Sequence, residues 1–122
     1  MQVIYVAGPF MALSDYEVQL NIASAGKVGL ECAKKGWSPI IPHKNTGGFE
    51  NCDIHPEDTS DEDFWYEATM ELLRKADAVV MCPGWLRSHG SQMEFNAAKD
   101  LGIPVYETVE QVPDLFQEEG RD

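Results

Sequence analysis

Apolar residues along the chain fall into two alternating patterns. Short continuous runs at 3–7 (VIYVA) and 78–82 (AVVMC) end in Gly8-Pro9 and Pro83-Gly84, and runs of that length suit strands buried on both faces. A third run at 37–42 (WSPIIP) carries Pro39, which lacks a ladder donor and belongs at a sheet edge or at the start of its strand; 104–107 is a short fourth. The segments between them keep helical spacing. Ser14 with Glu17 forms a capping box ahead of Val18, Ile22, Ala25, Gly29 and Cys32, with Lys34-Lys35 in the last turn and Gly36 as the stop. Ser60 caps a helix over 61–75 whose Phe64, Ala68, Glu71 and Leu72 share a face. Ser91 caps another that runs to Leu101 and stops at Gly102, and 109–117 predicts a last helix interrupted at Pro113.

Strands alternating with helices predict one α/β domain over 1–122. It is a doubly wound, mostly parallel Rossmann or flavodoxin-like sheet of four or five strands with helices on both faces. Ligands of such sheets bind beyond the carboxyl ends of the strands, where the strand order reverses. The loops after strand one (Gly8, Pro9, Phe10) and strand three (Gly84 to Gly90) flank that crevice, and the helix opening at Ser91 points its positive end into it. An anionic or sugar-bearing ligand fits. Residues 43–60 have no periodicity and carry Gly47-Gly48, Pro56 and several acids, which reads as a mobile flap.

Charge narrows the partners. The 122 residues include 21 acids and nine bases, a net charge of −12, which argues against nucleic-acid polymers and anionic membrane surfaces. An odd set of three cysteines, Cys32, Cys52 and Cys82, predicts reduced thiols in a cytoplasmic protein. Cys52-x-x-His55 has no second half for a metal, and no signal peptide or membrane span is expected.

Glu94 is the candidate for chemistry. Ser91-x-x-Glu94 has the spacing of a capping box, in which the glutamate reaches back to the cap and needs no other duty. Against that, Glu94 shares a stripe with Ala97, Ala98 and Leu101, and a carboxylate facing a sheet is expensive unless used.

The opening IYVAGPF, the PIIPH after strand two, ADAVVMCPGW, then Ser88-x-Gly90-Ser91-x-x-Glu94, Ala98 and GIPV together resemble the nucleoside 2-deoxyribosyltransferase-like superfamily. The resemblance covers nearly the whole chain and is closest to small bacterial and phage members of the DUF4406 type and to related nucleotide N-glycosidases. It implies that Glu94 is the nucleophile attacking the anomeric carbon and that Tyr5 positions it. A covalent glycosyl-enzyme of this kind splits one difficult substitution into two easier ones. Relatives using free nucleosides carry aspartate at the position of Ser88, whereas those acting on monophosphates carry serine. Ser88, Gly90 and Ser91 thus suit a 5′-phosphate, with Gly8, Pro9, Phe10, Gly84 and Trp85 lining the rest of the site. Arg87 either adds charge to that site or points into water. Thr69 stands where many active members have an aspartate, and Glu67 and Glu71 on the same helix point elsewhere.

Trp85 either stacks on a base or packs between loop and sheet; His43 and His89 read as loop histidines, and Asp77 as the start of its strand. The leading expectation is an N-glycosidic-bond hydrolase or deoxyribosyltransferase acting on nucleoside 5′-monophosphates. No metal or organic cofactor is expected, and a homodimer or homotetramer would close the crevice. Two rivals remain: a nucleotide-binding sensor or sequestering protein without turnover, which Thr69 favours, and a flavodoxin-like FMN carrier using Trp85.

Overall fold

The first strand, β1 (Val3–Ala7), divides its side chains between two cores: Ile4 and Val6 lie on one face, Tyr5 and Ala7 on the other, and all four are fully buried. That alternation is the period of a strand covered on both sides. The structure, a computed structural model, describes residues 1–10, 14–45 and 61–116. Among these residues the sheet has four strands, all parallel, in the order β2-β1-β3-β4, with β2 (Ser38–Ile40), β3 (Ala78–Met81) and β4 (Val105–Tyr106). β2 is an edge strand, as Pro39 requires.

Helices cover both faces. α1 (Asp15–Lys34) packs Ala25, Val28 and Cys32 against Ile4 and Val6, while α3 (Asp61–Arg74) and α4 (His89–Asp100) bring Met70, Leu73 and Ala98 to Tyr5 and Ala7. Each fully buried Val, Ile, Leu or Met side chain in these layers contributes about 1.5–3 kcal/mol. Ser14 caps α1 as expected, its hydroxyl accepting from the Glu17 N–H at 3.2 Å. Four turn-forming residues after β2 make a short helix, α2 (Pro42–Asn45); the remainder of the expected flap, 46–60, and the Ser60 cap lie outside the described residues. No described helix is long and apolar enough to cross a membrane.

Met70 and Leu73 form the buried face of α3 with Leu72 packed beside them, while Glu71 is exposed and pairs with Arg74 and Lys75. Two expectations need correction. α4 starts at His89, two residues before Ser91, and Leu101 is 52% exposed, so it leaves the inward stripe. The segment after β4 forms a 3₁₀ turn over Val109–Gln111 where the first half of a helix was expected, breaks around Pro113 as expected, and is helical again at 115–116, where the described residues end. Side chains from the link between α1 and β2 satisfy the carbonyls around this turn. Lys35 Nζ donates to Val109 and Val112 at 2.8 and 3.0 Å, and Trp37 Nε1 donates to Pro113 at 2.9 Å.

The carboxyl ends of β1 and β3 approach closely. The Cys82 N–H donates to the Ala7 carbonyl at 2.7 Å, and a Cβ on Gly8 would lie 2.6 Å from the Cys82 Cβ. Gly8→Ala should therefore push the two strand ends apart and destabilise the fold by about 1–3 kcal/mol. Urea unfolding checks this; an unchanged midpoint would show that the two strand ends can part without loss.

Candidate active site

β1 leads on to β2 on one side of it, whereas β3 leads on to β4 on the other, so the strand order reverses between β1 and β3. The crevice beyond their carboxyl ends is bounded by Gly8-Pro9-Phe10 and by the loop from Pro83 to Ser88. The first loop is held carbonyl by carbonyl. Buried His43 of α2 places Nε2 3.0 Å from the Gly8 oxygen and 2.8 Å from the Pro9 oxygen, and Asn21 of α1 donates to the Phe10 oxygen at 3.1 Å. The Phe10 ring stands edge-on to His43, 5.4 Å between centroids. Burial lowers the His43 pKa and the two carbonyls raise it less, which keeps a neutral ring with its proton on Nε2. The second loop turns at Gly84, whose φ of +87° is left-handed, and passes through a 3₁₀ turn, Trp85–Arg87, into α4.

Glu94 projects inward from α4, between buried Ser91 and buried Ala98 on the same face. Its carboxylate accepts a hydrogen bond from the Tyr5 hydroxyl, so a phenol at the centre of the sheet reaches a carboxylate 89 residues away. Burial pushes the Glu94 carboxyl up from 4.5 to about 7, with the Tyr5 hydrogen bond pulling the other way. Burial, and next the Glu94 charge, raise the Tyr5 phenol far above its ordinary value, while the Thr69 hydroxyl, in hydrogen-bonding reach of the phenol oxygen, lowers it. Burial also raises the Cys82 thiol to about 12, and Glu94 adds to that. The described ion pairs, Lys34–Glu31, Arg74–Glu71 and Lys75–Glu71, are exposed and one turn apart, and none involves Glu94.

The capping-box reading of Glu94 fails on this geometry. Ser88 is the N-cap: it is extended at φ −111°, and its hydroxyl accepts from the Ser91 N–H at 3.2 Å and from the Ser91 hydroxyl at 3.0 Å. Three residues after the cap stands Ser91, not Glu94, and Ser91 is buried rather than opening the helix. Gly90 is exposed, with open space where a Cβ would be. Trp85 is 9% exposed and stacks on Phe95 at 4.7 Å, so one ring face is taken by the core. Arg87 is exposed; its guanidinium folds back to within 3.5 Å of a Cβ built on Gly84. A groove of about 400 Å³ is lined by Gly84, Trp85 and Arg87 of this loop and by Glu107 and Thr108. His89 is exposed, and Asp77 accepts from the Val3 N–H at 2.8 Å, pinning the start of β1 to β3.

Sequence reasoning missed the His43 and Asn21 braces and the contact of Thr69 with Tyr5. The only signal for His43 was its place after the apolar run of β2. For Thr69 the signal was the spacing Thr69, Met70, Leu73, which turns the hydroxyl toward the sheet once the buried face of α3 is known. The Cys52-x-x-His55 pair lies outside the described residues.

The chain belongs to the DUF4406 family, whose model, described as a domain of unknown function, matches residues 2–107. It adopts the nucleoside 2-deoxyribosyltransferase-like fold. The 2-deoxyribosyltransferase of the psychrotolerant bacterium Bacillus psychrosaccharolyticus superposes with a TM-score of 0.56 at 23% identity, over 84% of this chain and 69% of that one. No curated protein matches the chain.

The raised Glu94 carboxyl has a consequence for stability. The unfolded chain releases this proton near 4.5 and the folded one near 7. The folded state thus binds more protons across that window and loses stability as the pH rises through it. Glu94→Gln, neutral and of equal size, should remove the loss. The variant should match wild type near pH 4.5 and exceed it at pH 8 by about 1–3 kcal/mol. Urea unfolding at the two pH values decides this; parallel pH profiles would mean that Glu94 ionises freely in the folded protein.

Proposed function

We propose that the protein breaks the N-glycosidic bond of nucleoside 5′-monophosphates, as a hydrolase or as a deoxyribosyltransferase, with Glu94 as nucleophile. The observation that carries this reading is a carboxylate held by a buried phenol where the strand order reverses, with no capping duty. Tyr5 donates to one carboxylate oxygen and orients the other toward the crevice. That oxygen attacks the anomeric carbon, the glycosidic electron pair leaves with the base, and a glycosyl ester forms. Water or a second base then attacks the same carbon and releases Glu94. The likeness in fold to a 2-deoxyribosyltransferase supports the reaction class.

The test is incubation with a panel of nucleosides and their monophosphates, followed chromatographically for released base. Wild type should release base from at least one monophosphate, faster as the pH rises through about 7 and Glu94 ionises. Glu94→Gln should lose at least about a thousandfold in rate while remaining folded, in keeping with removal of a nucleophile. Equal rates in wild type and variant would remove Glu94 from the reaction. Tight binding of a monophosphate without any base release would instead support the sensor or sequestering reading.

The monophosphate preference rests on the start of α4. Ser88 Oγ accepts two hydrogen bonds from Ser91, which leaves its own proton to donate outward, and the free N–H groups beside exposed Gly90 add the positive end of the helix. Ser88→Asp is a clean probe, because aspartate caps a helix as well as serine does. Its carboxylate repels a phosphate by up to ~4 kcal/mol per charge pair at 4 Å with an effective dielectric of about 20. Calorimetric titration should show monophosphates binding wild type more tightly than nucleosides, with the preference narrowed or reversed in Ser88→Asp. Equal affinities in wild type would move the assignment to free nucleosides.

A further inference from the structure

The outer face of α1 carries a pattern that solvent alone does not call for. Tyr16, Leu20, Ala23, Lys27, Leu30 and Lys34 follow one another at alternating intervals of four and three residues, and all six are exposed. Tyr16, Leu20 and Leu30 are 73%, 51% and 56% exposed. At about 100° per residue the six lie within about 40° of a single line. That line is opposite the buried face of Ala25, Val28, Gly29 and Cys32. An outward helix face is ordinarily polar, and large apolar side chains aligned on one mark a contact with another molecule.

Intervals of four and three are the seam of a helix that packs along another helix. The occupant that fits is a second α1, because the charges of this helix complement one another when two copies run antiparallel. Asp15 and Glu17 stand in its first turn and Lys34 in its last. In antiparallel register Leu20 of each copy meets Leu30 of the other, Tyr16 meets the stem of Lys34, and Lys27 meets Ala23. The Lys34 ammonium, 3.4 Å from Glu31 on its own helix, then falls between that carboxylate and Glu17 of the other copy. Parallel pairing would instead set Lys27 on Lys27 and Lys34 on Lys34, and would bring two acidic first turns together.

We infer that α1 is a self-association surface, on which two copies of the chain pair antiparallel about a two-fold axis at mid-helix. The contact is isologous, so each favourable pair occurs twice. Its seam, from Tyr16 to Lys34, is about 27 Å long at 1.5 Å per residue. No new helix nucleation is required, since packing on the sheet already holds α1 folded. α1 runs back between the parallel strands β1 and β2, so antiparallel α1 helices set the strands of the two copies in opposite directions. The two crevices then open at opposite ends of the pair, and the contact is independent of the reaction proposed for Glu94.

Sedimentation velocity of the full chain at micromolar concentrations tests this, and wild type should sediment as a dimer. Leu30→Glu sets a charge against Leu20 in both symmetric contacts and should raise the dimer dissociation constant at least about 30-fold, the size of a hot-spot loss. Lys34→Glu should weaken the dimer by about three- to tenfold, and adding Glu17→Lys in the same chain should restore it. That rescue depends on the antiparallel register, and a merely local role for either residue would not produce it. A monomeric wild type, a dimer that Leu30→Glu leaves intact, or a Glu17→Lys, Lys34→Glu chain no tighter than Lys34→Glu alone would each overturn the inference. Circular dichroism checks that the variants fold, as substitutions at exposed positions should. A Leu30→Glu chain that does not fold would mean that its own chain covers the stripe, which also overturns the inference.

Discussion

The hydrogen bond from Tyr5 to Glu94 is the contact on which the rest of the arrangement depends. Either partner alone would be costly: a phenol fully buried in the sheet needs an acceptor, and an inward carboxylate needs a donor. Together they tie the central strand to α4 across 89 residues of chain. The tie demands that α4 lie close to the sheet, and the helix permits it because the neighbours of Glu94 on that face are small, Ser91 and Ala98. Burial that makes this approach possible also holds the Glu94 proton to about 7, so packing and proton affinity are one property of the same face.

A second constraint keeps the crevice open above that bond. Gly8 lets the ends of β1 and β3 touch through Cys82, and the carbonyls of Gly8, Pro9 and Phe10 are then each taken by a side chain from the far side of the loop. Backbone acceptors satisfied from behind do not need to fold over the site. His43 does this as a neutral ring, which is why a histidine so near the crevice has the lowered pKa of a brace.

The strands and most of the helices were legible because their signals are local. The apolar runs of β1 and β3, the proline of β2 and the Ser14 cap each act over a few residues, and the strand reversal follows from their order. What was not legible depends on rotation and on distant partners. Phe64, Ala68 and Leu72 mark an apolar stripe on α3 as well as Met70 and Leu73 do. Only the sheet beneath decides which is buried, and with it whether Thr69 meets Tyr5. Trp85 shows the same limit: a tryptophan after a glycine turn has no signature that separates a ligand platform from a ring stacked on Phe95. Glu94 was legible as a residue on an inward stripe, but its partner, at the other end of the chain, was not derivable from spacing.

The misplaced start of α4 shows how a three-residue shift of a helix cap changes a chemical reading. With Ser91 as cap, Glu94 falls at the position where a glutamate closes a capping box and is explained without function. The chain offers two serines three residues apart, and the one at the exit of the 3₁₀ turn wins because its backbone is already extended there, at φ −111° and ψ 116°. Ser91 then becomes the buried third residue of the helix and returns its own hydroxyl to Ser88. Glu94 moves a full turn beyond reach of the cap and has only the sheet to face. The rise from Ser88 to Glu94 is six residues, about 9 Å at 1.5 Å per residue. A cap whose proton points outward and a carboxylate held inward thus stand on one helix at a separation on the scale of a sugar phosphate, which is the geometric reason that a phosphate reading of the first residue and a glycosidic reading of the second support each other.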